Sequence, residues 1–145
     1  MTIAQAKIVG AAPQGEPFPS EEIKLALTSL VIYAAATWDF HRYHYDAAFV
    51  KPLGMPAPFV DGQMIGALLA SRLMRWGGRN AFVRKLGYRQ RATVYVDETI
   101  VLGGAVTANT VENGRRIAVL NLTVTKADGT PVVRDGAATV DLGPE

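Results

Sequence analysis

The run GQMIGALLASRLMRWGG, residues 62–78, is the most strongly patterned part of the chain. Its apolar residues, from Met64 and Ile65 through Leu69 and Leu73 to Trp76, cover more than one helical stripe. A helix apolar over most of its circumference is a buried one, and the Gly77–Gly78 pair supplies a stop. Upstream, EIKLAL (22–27) alternates and predicts a strand. Thr28 has the chemistry of a helix N-cap and opens a short helix that ends near Asp39. Residues 39–61 hold Pro52, Gly54, Pro56 and Pro58 among aromatic and polar residues, which predicts a long ordered loop with a short helix at 46–51. Residues 1–20 carry three prolines and few bulky apolar residues, and read as a loosely packed N-terminal arm.

After residue 80 the period changes. FVRKLGYRQRATVYV (82–96) alternates in part, and its β-branched and aromatic residues favour a strand. Two further runs flank Asn113–Gly114, a strong two-residue hairpin signal, and a last run follows Asp128–Gly129, a second one. The C-terminal half is therefore expected to be an antiparallel meander of about four strands. With the buried helix this gives an α+β domain, a curved antiparallel sheet wrapped around one long central helix. One helix inside one small sheet leaves edges uncovered, so pairing with a second copy or a related chain is expected.

The 145 residues fit one domain with a real core. A hydrophobic fraction of 49% against 19% charged is that of a globular chain. The net charge of +2 does not call for nucleic acid, and the absence of cysteine removes disulfides and thiol nucleophiles. No run reaches the roughly 20 apolar residues of a membrane span. The N-terminus has no apolar stretch with a basic flank, so no signal peptide is predicted and the expected location is the cytoplasm.

The stretch TWDFHRYHYD (37–46) contains both histidines of the chain beside Asp39 and Asp46. In one continuous helix Asp39 and His44 would point about 140° apart; at a helix-to-loop transition both can enter one pocket. An aspartate and a neutral imidazole about one water apart form an acid–base couple. Gly62, at the start of the long helix, offers free N–H groups and the positive end of a helix dipole to an oxyanion. The bland alternative is a helix-terminating aspartate, two surface histidines and a helix-start glycine.

The segment from Thr28 to Leu69 resembles the signature region of the MaoC-like hydratases and dehydratases of the hot-dog fold. Their pattern runs from a helix ending in aspartate through Phe-Asn-Pro-Ile-His-x-Asp and a Gly-x-Pro loop to Ala-His-Gly opening the central helix. Asp39 and His44 fall on the catalytic aspartate and histidine, Asp46 on the following aspartate and Gly62 on the oxyanion glycine. The likeness covers roughly residues 20–142. Two positions depart: His41-Arg42 stands where the family has Asn-Pro, and Asp61 where it has the histidine before the helix glycine. Both departures, with ATWDFHRYHYD and PFVDGQMIGALL, are most similar to the small MaoC-like subunit of steroid side-chain enoyl-CoA hydratases.

The resemblance implies reversible addition of water to a trans-2-enoyl-CoA, giving a 3-hydroxyacyl-CoA, on a bulky or unusual acyl chain. It implies no cofactor beyond the coenzyme A thioester that is the substrate, and a homodimer or a heteromer with a second MaoC-like chain. Asp46 and Asp61 would then face substrate, and Arg84, Lys85 and Arg89, from a basic run, could hold coenzyme A phosphates or simply cover a solvated sheet face. Tyr43, Tyr45, Phe40, Phe49 and Phe59 could line an acyl pocket or serve as core and interface. No spacing marks a closed metal site. Two rival readings stay open: a non-catalytic subunit whose partner does the chemistry, and a thioesterase centred on Asp61, since fold alone does not choose among them.

Overall fold

The computed structural model describes residues 17–145. Its elements are β1 (Pro17–Lys24), α1 (Leu27–Thr37), α2 (Ala47–Val50), α3 (Gly62–Gly77), β2 (Phe82–Gly87), β3 (Thr99–Glu112), β4 (Arg115–Lys126) and β5 (Pro131–Pro144). All five strands form one antiparallel sheet in the order β1-β3-β4-β5-β2. Among the described residues, no helix is long and apolar enough to cross a membrane.

Helix α3 lies against one face of this sheet. Ile65, Leu69 and Leu73 recur at helical spacing and are fully buried. They belong to one core with Ile100 and Leu102 of β3, Leu120 and Leu122 of β4 and Val140 of β5. Each such side chain contributes about 1.5–3 kcal/mol on leaving water. The helix is less uniformly apolar in effect than its sequence predicts: Met74 is exposed, and Arg72 and Arg75 both pair with Glu21 of β1. Gly78, at φ 85°, ends it.

Register shifts in β1–β3, β2–β5, β3–β4 and β4–β5 bend the sheet around the helix. The hairpins form where expected, with Asn113 and Gly114 at φ 52° and 73° and Gly129 at φ 87°. The meander, however, has three strands, β3-β4-β5. The run at 82–96 contributes only β2, which pairs with β5 and not with β3. Leaving the end of α3, the chain meets the far edge of the sheet before it crosses back.

Three N-terminal expectations need correction. The first strand runs Pro17–Lys24, not 22–27, and Phe18 is buried edge-on against Trp76 at 5.7 Å, so residues 17–20 are no loose arm. The remainder of that expected arm lies outside the described residues. Helix α1 is capped by Ala26 without a side-chain bond, not by Thr28. Buried Leu25, whose N–H donates to Glu98 O and whose carbonyl accepts from Asp97 N–H, sets the point where the chain turns into the helix.

Candidate active site

Helix α1 ends at Trp38, a left-handed residue at φ 60°. That conformation costs a non-glycine residue about 1–2 kcal/mol. Asp39, next in the chain, is held by its N–H donating to Ala34 O at 2.9 Å. Its Oδ1 accepts from the His41 N–H at 3.2 Å, which starts the loop turning back. A 3₁₀ turn over Arg42–His44 then brings His44 to face Asp39.

The imidazole of His44 is fixed by its Nδ1, 2.8 Å from the Phe59 carbonyl oxygen. A carbonyl only accepts, so Nδ1 carries the hydrogen and Nε2 is left out of this bond. Phe59 is itself anchored: its N–H donates to Tyr43 O at 3.1 Å, and it bridges to Tyr95. Neighbouring bonds, Val60 N–H to Val94 O and Val96 N–H to Pro58 O, both at 2.8 Å, tie the approach to α3 to the chain ahead of β3.

Asp61 is the N-cap of α3, its Oδ1 accepting from Gln63 N–H at 2.9 Å. Gly62 follows as the first helical residue, so its N–H is one that the helix itself cannot use. Asp39, His44 and Asp61 each direct one oxygen or nitrogen into a common space, all within 4.8 Å of one another, and all three residues are half-buried. They are the one such group of potential metal ligands among the described residues. Leu30, Tyr33, Ala34 and Met64 line the same narrow hollow. It is too narrow for a whole coenzyme A thioester.

Tyr33, Tyr88 and Gln90 were not singled out by sequence reasoning. Burial pushes the Tyr33 phenol up, and the charges of Asp61 and Asp39 and the neighbouring Tyr88 push the same way, so it stays a neutral O–H donor. Its signal was slight: one polar tip on the apolar side of α1 that carries Leu30 and Ala34. Burial also raises the Tyr88 phenol, a backbone bond from Gly66 opposes it, and Asp61 adds to the rise. Tyr88 donates to the Gly62 carbonyl oxygen at 2.7 Å. Nothing in the sequence places Tyr88 or Gln90 beside Gly62.

The other expected site residues are placed differently. Asp46 stays outside the hollow: one oxygen accepts from Arg42 Nε and Nη2 at 2.9 and 2.7 Å, and the other accepts from Phe49 N–H at 3.0 Å. The Arg42 hydrogen bond, then the Phe49 N–H, hold its carboxyl below the usual range. Asp46 therefore caps α2 and stiffens the loop that carries His44. Arg84 is engaged by Glu112 at 2.8 Å and Asp141 at 2.9 Å. Lys85 and Arg89 are exposed. Tyr43 packs with Phe49 and Phe59 at 5.5 and 5.6 Å as a small core within the loop, and the Tyr45 hydroxyl donates to Phe40 O at 2.8 Å.

The sequence pattern that defines the MaoC like domain matches residues 9–128 of the chain. The chain belongs to the MaoC-like domain family. Solved structures agree on the fold. An (R)-hydratase from A. caviae involved in PHA biosynthesis is 21% identical, with a TM-score of 0.79, covering 91% of this MaoC-like chain and 98% of its own. The R-hydratase PhaJ1 from Pseudomonas aeruginosa is 20% identical, with a TM-score of 0.81, covering 92% and 83%. The ChsH1-ChsH2 complex from Mycobacterium tuberculosis matches at 25% identity and a TM-score of 0.74, covering 92% and 98%. No curated protein matches the chain. The MaoC-like assignment accounts for the order β1-β3-β4-β5-β2 around one long helix, the hot-dog fold.

Proposed function

We propose that this MaoC-like chain is an enoyl-CoA hydratase, adding water reversibly to a trans-2-enoyl-CoA to give a 3-hydroxyacyl-CoA, with a bulky or unusual acyl chain. The observation that carries this reading is the convergence of Asp39 and His44 within 4.8 Å at the start of α3. A water held between an Asp39 oxygen and His44 Nε2 loses one proton to this pair as its oxygen adds to C3. The C2=C3 electron pair moves into the thioester, whose oxygen receives the Gly62 N–H. C2 then takes a proton from the pair on the same face. Two groups sharing one water titrate together, so the pair is treated as one acid–base unit.

A second MaoC-like chain completes the substrate channel in this reading. The hollow is small, and α1 exposes Leu27, Val31 and Ile32 beside Trp38 and Phe40, an apolar strip suited to a protein partner. One structural relative was itself solved as the ChsH1-ChsH2 complex. Of the three expected phosphate contacts, Lys85 and Arg89 are exposed, whereas Arg84 is occupied by its two carboxylates. The reading places the reaction in the cytoplasm with no cofactor beyond the thioester substrate.

The test follows the enoyl-thioester absorbance with a short 2-enoyl-CoA and with a steroid-side-chain enoyl-CoA, beside Asp39→Asn and His44→Ala. Hydration by wild type, lost in both variants, supports the reading, and the better substrate reports the size of the pocket. No hydration, alone or with a co-purified MaoC-like chain, would favour a non-catalytic subunit. Asp61 favours a second outcome worth monitoring, because its carboxylate faces the same hollow. Release of free coenzyme A would make the protein a thioesterase.

A further inference from the structure

We propose that Tyr88 and Gln90 are positioning residues that hold the Gly62 peptide in place for an oxyanion, an inference that rests on the reading of Gly62 as the oxyanion donor. Glycine is the conformationally freest residue, and the first turn is where helices fray. A donor for a developing enolate oxygen must nevertheless sit within hydrogen-bond range of where that charge appears. The needed rigidity has to come from outside α3.

It comes from the segment just after β2. The Tyr88 hydroxyl donates to the Gly62 carbonyl oxygen at 2.7 Å. The Gln90 Oε1 lies against Gly62, so close that a Cβ at that position would approach it to 2.9 Å. The Gln90 amide is oriented by its own Nε2, which donates to Ala92 O at 2.9 Å. Gln90 also bridges to Val133 of β5, which ties this segment to the sheet. The Tyr88 bond restrains the carbonyl of the peptide that follows the donor N–H, and the Gln90 contact packs against the Cα that joins the two peptides.

Gly66, one turn into α3, makes room for this arrangement. A Cβ there would lie 2.5 Å from the Tyr88 hydroxyl oxygen. Burial keeps the phenol in its donor form at neutral pH. A phenylalanine would fill the same space without the Gly62 bond, so Tyr88→Phe separates the bond from the packing.

The test uses a conjugated dienoyl-CoA, whose absorbance moves to longer wavelength when a hydrogen bond polarises its thioester carbonyl. It is bound to the protein together with any chain that co-purifies with it. Tyr88→Phe should lose at least half of the wild-type shift, with kcat down about tenfold and KM within about twofold. Gly66→Ala should give the same loss by displacing the phenol, although alanine is the better helix former. A wild-type complex with no shift overturns the oxyanion reading of Gly62 and this inference with it. A wild-type shift that persists undiminished in both variants overturns the positioning role alone.

Discussion

The imidazole Nδ1 of His44 lies 2.8 Å from the carbonyl oxygen of Phe59, fifteen residues further along the chain. This single bond fixes the ring and leaves Nε2 uncommitted to it. If the chain is the hydratase proposed above, replacing His44 by alanine should cut hydration by about 10²–10⁴-fold. The melting temperature should hardly change, because the residue is half-buried and outside the core. Parallel activity assays and thermal melts check this; a large drop in melting temperature would mean that His44 acts as a structural clamp.

Asp61 has two separable tasks. As the N-cap of α3 it should tolerate Asn and not Ala: Asp61→Ala should cost about 0.5–2 kcal/mol in urea unfolding, and Asp61→Asn much less. If water addition is the work of Asp39 and His44, Asp61→Asn keeps most hydratase activity. A thioesterase would lose its activity in the same variant.

Asp141 is buried and accepts from Arg115 Nε at 2.7 Å, from Gly143 N–H at 2.9 Å and from Arg84 Nη2 at 2.9 Å. The Arg115 bond, then the Gly143 N–H, hold its carboxyl far below the usual range, against the effect of burial. A lowered folded-state value means stability present above the unfolded value, about 3.9, and lost as pH falls below it. Asp141→Asn should therefore melt several degrees below wild type at pH 7, and the gap should narrow at pH 3. Melts at both values decide it, and a gap that stays constant would deny the ionic origin.

Trp38 is 83% exposed in a left-handed conformation. Trp38→Gly removes the backbone penalty, so the isolated chain should be no less stable by thermal melting. If the strip on α1 binds a second MaoC-like chain, the same variant should weaken that association in sedimentation experiments. Unchanged association would take Trp38 out of the interface.

Leu69 is fully enclosed between α3 and the sheet. Leu69→Ala should cost about 2–5 kcal/mol through lost burial and the cavity left behind. Urea unfolding measures this directly, and a cost below 1 kcal/mol would mean that the core closes over the gap.

The chain's own patterning determined the long helix and both tight hairpins. Residues 62–78 are dense in apolar side chains, and Asn113–Gly114 and Asp128–Gly129 carry the turn chemistry locally. Asp39, His44 and Gly62 were legible for a related reason: they lie in one stretch of chain, with spacing that a family shares. Tertiary structure decided what depends on distant partners. It placed β2 against β5, because which edge a strand joins depends on where α3 delivers it. It took Arg84 into a cluster with Glu112 and Asp141, residues remote in sequence. It brought Tyr33 beside the acids and set Tyr88 and Gln90 on Gly62, contacts that no local period encodes because they arise only when helix and sheet pack.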